Sequence, residues 1–264
     1  MKRGRVVFIG AGPGAADLIT LRGARLLAQA DVVLFDALTD PALRAMAPHA
    51  RWVHVGKRGF ADSTGQAAIN ALLVKHAGAG SVVARLKGGD PSVFGRLEEE
   101  LAALAQAGIA CEVVPGVTAA LAAAAASQRP LTRRGSGRSV SLSTAMTREG
   151  ELTASRCADT EVFYMAGKQL AALARRLACA GWAADAPVCV VSRAGWPDQL
   201  TSDHAVASLS HAAMLHAGRP SVVTVGAGAL PVAVVPGWPQ RDAPASAAQQ
   251  GIAIPPPEAV VPKP

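Results

Sequence analysis

Residues 85–96 read RLKGGDPSVFGR. The apolar run that leads into this stretch, 81–86 (SVVARL), has the length of a buried strand. It stops at Lys87, paired Gly88 and Gly89, then Asp90 and Pro91, and a polar helical segment follows from Glu98. Two adjacent residues without Cβ let the backbone take positive φ and let a ligand touch the main chain. Asp90, its direction held by Pro91, is then expected to face whatever fills that space. An ordinary strand-to-helix turn uses the same residue types. The case for more than a turn is a second loop of this kind at the start of the chain.

That second loop follows the apolar run 5–9 and reads Gly10-Ala11-Gly12-Pro13-Gly14, with Thr20 placed to open a helix through residue 30. Strand, glycine loop and helix is the order of a nucleotide-type site. Gly10, Gly12 and Ala15 satisfy the dinucleotide fingerprint literally. Against that reading, Pro13 and Gly14 stand where its helix should begin, and Asp36 comes later than its acidic residue. Runs 31–35 and 51–55 are the second and third strands, ending at Asp36 and at Gly56-Lys57-Arg58. Asp36 and Lys57 thus fall at carboxyl ends of strands, where open α/β sheets collect ligands; each also reads as a solvated loop charge.

Downstream, 66–77 is a helix with Ile69, Leu72 and Leu73 on one face, 98–107 a helix, 109–114 a strand, and 119–127 an alanine-rich helix with Thr118 as its N-cap. Helix propensity alone accounts for the alanines; small side chains would also let the helix start lie against a ligand. Strands alternating with helices imply a mainly parallel sheet. The stretch 130–137 (PLTRRGSG) suits a connection between lobes that also touches an anion, and a second α/β half follows. Its strands are expected near 139–143, 161–165, 187–191 and 221–225, with a helix over 169–180. The chain therefore divides into α/β lobes at 1–131 and 132–229 and a Pro/Ala-rich tail, 230–264, expected to be disordered.

Half of the 264 residues are apolar, but only one is Tyr and five are Phe, so Ala, Val and Leu must fill the cores. The net charge of +7 comes from dispersed basic residues with few aromatics among them. That pattern offers nucleic acid neither a basic stripe nor a stacking platform, and suits steering of a multiply anionic small molecule. The four cysteines are far apart with no CxxC, so neither a metal site nor a disulfide framework is indicated. The N-terminal apolar run is broken by Gly10, Gly12 and Pro13, which argues against a signal peptide, and no apolar run reaches about eighteen residues. A soluble, cytoplasmic protein without membrane or nucleic-acid partners is expected.

With both loops placed, the chain resembles the tetrapyrrole methylase family. The matching segments are VVFIGAGPGAADLITLRGARLLAQADVVLFDAL, VGKR, STGQAAINALLVKHA, RLKGGDPSVFGR, EVVPGVTAA, RPLTRR, VFYMAG and the run from Pro220 to Gly226, in the family's order over residues 5 to about 228. The resemblance implies two α/β lobes with S-adenosylmethionine bound in the cleft between them, in a homodimer. It implies cofactor contacts at Pro13, Gly88, Gly89, Asp90, Val93, Thr118, Ala119, Met165 and Ala194. It makes Asp36 the proton acceptor and Lys57 the proton donor or a substrate-carboxylate ligand. The activity implied is two successive methylations of uroporphyrinogen III, a polycarboxylate, to precorrin-2 on the way to sirohaem or cobalamin. Arg22, Arg58, Arg96, Arg133 and Arg134 are then candidate carboxylate partners, since a guanidinium grips a carboxylate by two hydrogen bonds.

The sequence departs from the family pattern at Leu97-Glu98, where glycines are usual, at Arg133 in place of His, at Thr144-Ala145-Met146, and in AGPGAAD. A later corrin-ring methylase of the same family, a nicotinamide-dependent oxidoreductase and a non-catalytic binding protein are the alternatives.

Overall fold

The apolar runs of the first half form one parallel sheet in the computed structural model, which describes residues 4–56, 65–145 and 152–232. Its strands are β1 (Arg5–Gly10), β2 (Val32–Phe35), β3 (Arg51–His54), β4 (Val82–Lys87) and β5 (Ala110–Val114), in the spatial order β3-β2-β4-β1-β5. β1 is central and covered on both faces, hence its unbroken apolar sequence. Val7 and Ile9 pack with Leu27, Leu43 and Leu86 on one side; Val6 and Phe8 pack with Leu34, Leu73 and Leu104 on the other. The helices between them are α1 (Leu21–Leu27), α2 (Gln66–Gly78) and α3 (Leu97–Gln106). Thr20 caps α1, its hydroxyl accepting the Gly23 N–H at 3.1 Å.

The order of these strands decides where loops meet. The chain leaves β1, lays down β2 and β3 further out, returns to place β4 between β2 and β1, and sets β5 on the far side of β1. The loops after β4, β1 and β5 therefore lie side by side along the carboxyl edge, at the point where the winding reverses.

The second half is a five-stranded sheet with the order β6-β7-β10-β8-β9: β6 (Val140–Thr144), β7 (Thr160–Tyr164), β8 (Pro187–Ser192), β9 (Leu200–Ala205) and β10 (Ser221–Gly226). Only β6 and β7 run parallel; β10 is antiparallel to β7 and β8, and β8 to β9. β9 has no counterpart in the sequence reading. Its residues, LTSDHA, are polar because it is an edge strand paired on one side only. Helix α5 (Leu170–Cys179) covers the outer face through Leu170, Leu173 and Leu177.

The inner face is covered by α4 (Ala119–Ala126), a helix from before the connection between the lobes. Ala120, Ala122 and Ala123 pack on Val162, Tyr164, Cys189, Val191 and Val222 of the second sheet. By its packing, α4 belongs with the C-terminal half, and the alanines let it lie close to the sheet. The tail beyond Val232, read from sequence as disordered, lies outside the described residues.

Candidate active site

Three glycines bring the loops at the carboxyl edge into backbone contact. A Cβ on Gly10 would lie 2.5 Å from Gly116 Cα, and one on Gly116 would lie 2.4 Å from the Gly89 carbonyl oxygen. Gly12 and Gly89 exchange hydrogen bonds, Gly89 N–H to Gly12 O at 2.8 Å and Gly12 N–H to Gly89 O at 3.3 Å. The GAGPG and GGDP loops thus form one structure, and a cavity of about 240 Å³ opens beside it, between the two halves. The far wall comes from the ends of β7 and β8 and the start of β10. The halves are joined there by Ala15 N–H to Gly195 O at 3.0 Å and by the Trp196 indole N–H to Pro13 O at 3.2 Å.

All nine residues expected to contact the cofactor line this cavity: Pro13, Gly88, Gly89, Asp90, Val93, Thr118, Ala119, Met165 and Ala194. Two of them have roles that the sequence did not show. The Asp90 carboxylate lines the cavity and also accepts the Ser92 N–H at 2.7 Å and the Gly116 N–H at 2.8 Å, so it ties its loop to the one after β5 as well. Thr118 occupies the N-cap position of α4, but its hydroxyl bonds the Tyr164 hydroxyl at 2.7 Å. Tyr164 does the capping from the opposite sheet, its oxygen accepting the Ala120 N–H at 3.3 Å. Burial pushes the Tyr164 pKa up, keeping it a neutral hydroxyl.

Sequence reasoning missed Leu38, Phe94, Tyr164, Val191, Arg193, Trp196 and the Pro220-Ser221-Val222 run, which line the same cavity. Tyr164 is the sole tyrosine of the chain and stands beside Met165, which was a usable signal. Phe94, Met165 and Arg193 all adopt left-handed backbone, with φ of 53°, 58° and 51°. Strain of this kind at three non-glycine residues around one cavity is a mark of a functional site.

The glycine loop is not an anion cradle. Ala11 and Gly12 of the loop, and Ala15 and Ala16 just after it, already donate, to Lys87 O, Gly89 O, Gly195 O and the Asp40 carboxylate. Pro13 has no N–H. A short 3₁₀ turn, Ala16–Leu18, intervenes before α1, so no helix N-terminus points at the loop. A pyrophosphate needs those free amides. The cation on the cavity wall, Arg193, is paired with Asp198 at 2.7 Å and stacked on Trp196, its guanidinium 4.5 Å from the ring centroid. The cavity instead offers an apolar slot edged by the hydroxyls of Thr118, Tyr164 and Ser221, which suits a phosphate-free nucleoside donor.

Asp36 lies just past β2, outside the cavity wall and two residues before Leu38, which is on it. Its carboxylate is 27% exposed and accepts from Arg85 at 2.7 Å. Lys57 and Arg58 lie outside the described residues. Of the other arginines, Arg22 and Arg134 are exposed, and Arg96 grips Glu99 through two bonds of 2.7 Å. Arg133 donates to the Leu230 carbonyl, a bond within the second half. None of these four lines the cavity.

Behind the cavity wall, Ser221 Oγ meets Ser192 Oγ at 2.9 Å, Ser192 meets His216 Nδ1, and His216 Nε2 meets Ser202 Oγ at 2.8 Å. Burial, with the charges of His204 and Arg219 adding, lowers the His216 pKa below its ordinary 6.5. Unfolding then takes up a proton, so this contribution to stability is complete above pH 6.5 and is lost as the pH falls through that value toward the folded pKa. Thermal unfolding followed from pH 8 to pH 5 should show the melting temperature dropping below about pH 6.5. His216→Gln should make the drop shallower; an unchanged profile would remove His216 from the account.

The chain matches the family model described as Tetrapyrrole (Corrin/Porphyrin) Methylases over residues 5–209. It is 45% identical over 195 residues to a uroporphyrinogen-III C-methyltransferase of Pseudomonas aeruginosa, covering 72% of this chain and 80% of that one. It is 43% identical over 230 residues to siroheme synthase 1 of Pectobacterium atrosepticum, covering 85% of this chain but only 48% of that longer protein. Its fold is similar to the crystal structure of a uroporphyrin-III C-methyl transferase from Thermus thermophilus complexed with S-adenyl homocysteine. The TM-score there is 0.74 at 36% identity, over 84% of this chain and 97% of the other.

Proposed function

The chain belongs to the tetrapyrrole methylases, and from that premise we propose that it transfers methyl groups from S-adenosylmethionine to carbon atoms of uroporphyrinogen III, twice in succession, giving precorrin-2. The observation that carries the reading is the joined pair of glycine loops, which spend the Gly12 and Gly89 amides on each other beside a cavity that is apolar with a hydroxyl edge. S-adenosylmethionine brings an electrophilic methyl group on a sulfonium, and a pyrrole carbon is already nucleophilic, so the protein's main work is alignment.

The cavity residues hold the donor. Val93, Met165 and Ala194 give the adenosine an apolar slot, Gly88 and Gly89 let it approach the backbone, and Thr118 and Tyr164 offer hydroxyl partners. Asp36 takes the proton that the methylated ring must lose, and Lys57 supplies a proton or holds a substrate carboxylate. The net positive charge, to which Arg22, Arg58, Arg96 and Arg134 contribute, draws the polycarboxylate to the cleft. The assembly is a homodimer; support comes from the edge strand β6, whose Val140 and Leu142 are exposed on its apolar side. We place the enzyme in the cytoplasm; no helix of the described residues is long and apolar enough to cross a membrane.

Calorimetric titration with S-adenosylmethionine and with NAD, followed by mass analysis of the tetrapyrrole after incubation with the methyl donor, tests the reading. Heat from S-adenosylmethionine alone and a product carrying two added methyl groups are expected. Heat from NAD alone, or a product with no added methyl group, would overturn it.

A further inference from the structure

Beneath Asp36 lies an assembly of charges that the proposed chemistry does not yet use. Arg85 and Lys87 on β4 are each 3% exposed, and Glu100 on α3 is fully buried between them. Glu100 Oε1 accepts from Arg85 Nε at 2.9 Å, and Oε2 from Lys87 Nζ at 2.6 Å. Gln66, at the start of α2, also reaches Oε1, at 3.4 Å. The remaining Arg85 donors reach the carbonyls of Leu34 and Leu86 at 3.4 and 3.2 Å, and Asp36 Oδ1 at 2.7 Å. The guanidinium is thus held on two sides by buried acceptors and presents its last edge to the one member of the group that reaches solvent.

Stability gives little reason for such an arrangement. Well-packed apolar side chains in place of a buried ion pair are often neutral or stabilising. Burial works against the Arg85 charge, but the carboxylates of Asp36 and Glu100 outweigh it and raise its pKa, so it stays a fixed cation. Burial and the neighbouring Arg85 lower the pKa of Lys87, against the pull of Glu100. The Asp36 backbone is fixed as well: its N–H donates to Leu86 O at 3.2 Å, and its carbonyl accepts from the Thr39 hydroxyl at 2.8 Å. What is left to fix is the carboxylate itself, and Arg85 is the group that does so.

We infer that Arg85, anchored from behind by Glu100, is a positioning residue that orients the Asp36 carboxylate for proton removal during methyl transfer. The inference rests on the assignment of Asp36 as proton acceptor. An edge misplaced by a fraction of a bond length is enough to slow such a step.

The test is a mutant cycle on the full chain, reading turnover at saturation, S-adenosylmethionine affinity by calorimetry, and melting temperature. Arg85→Met should lower kcat about 10- to 100-fold with donor affinity unchanged. Arg85→Lys, which keeps a cation able to reach Asp36, should recover part of the loss. In an Asp36→Ala background, Arg85→Met should cost no further turnover, because the group it acts through is gone. A parent-like kcat for Arg85→Met, or the same fold loss in the Asp36→Ala background, overturns the inference and leaves Arg85 a structural residue. If Arg85→Met does not fold, Arg85→Lys carries the same cycle, since one ammonium cannot serve both Asp36 and Glu100 as a guanidinium does. Parent-like turnover of Asp36→Ala alone defeats the assignment of Asp36 and the inference with it. Loss in Asp36→Ala with none in either Arg85 variant defeats only the inference.

Discussion

Gly89→Leu is expected to abolish detectable S-adenosylmethionine binding, raising Kd by about 100-fold or more, equivalent to ~2.7 kcal/mol, in a chain that still folds. A Cβ at Gly89 meets no atom closer than 3.9 Å, that of Thr118 Cα, so the added side chain is not stopped by protein. It extends into a cavity of about 240 Å³, where it competes with the donor. Gly89 also has φ of +74°, so any side chain there adds backbone strain of about 1–3 kcal/mol. Gly89→Ala separates the two effects: it carries the same strain with a single methyl group, and should lose melting temperature while keeping most of its donor affinity. Gly116→Ala contrasts with both, because its Cβ would lie 2.4 Å from the Gly89 carbonyl oxygen and push the loops apart. Calorimetry and thermal unfolding of the three variants check this. Normal donor binding by Gly89→Leu would mean that the cavity beside the two loops is not the donor site.

Asp36→Ala is expected to lower kcat by about 10²- to 10³-fold and to leave the donor Kd within about twofold of the parent. Its carboxylate lies outside the cavity wall and faces Arg85 at 2.7 Å, so its removal takes nothing from the donor slot. A lower melting temperature should accompany the loss, because a buried guanidinium loses one of its two carboxylates. Asp36→Asn keeps the shape of the side chain and removes its basicity, and should fall by a similar factor in turnover. Steady-state rates at saturating substrate, set beside a calorimetric Kd, decide the matter. Weak donor binding with normal saturated turnover would place Asp36 in the cofactor site and end its role as a base.

The parts of this architecture that could be read from the chain are those in which local composition and local structure have the same cause. Val6–Ile9 of β1 and Val82–Ala84 of β4 are apolar because the sheet is covered on both faces, and each strand gives way to glycines because loops there touch backbone to backbone. Thr20 caps α1 through a hydrogen bond three residues away, well within a sequence window. Other features depend on partners remote in sequence. β9 reads as a polar loop until β8 is beside it. Thr118 has the sequence of a capping residue, yet it faces Tyr164, 46 residues on, and the tyrosine takes over the capping. Asp90 reads as a ligand-facing carboxylate, and its second task, holding the Gly116 amide 26 residues away, shows only in the fold.

By itself the sequence determined the strands of the first sheet, the glycines that follow β1 and β4 and, through the family resemblance, half of the residues that gather around the cleft, because burial on both faces and freedom from Cβ are properties of short segments. The tertiary structure alone decided that α4 covers the second sheet, that the Ala11 and Gly12 amides are already consumed, and that Arg85 and Glu100 stand behind Asp36. Those outcomes depend on strand order, and strand order follows from how two sheets and their crossovers pack, which no window of sequence contains.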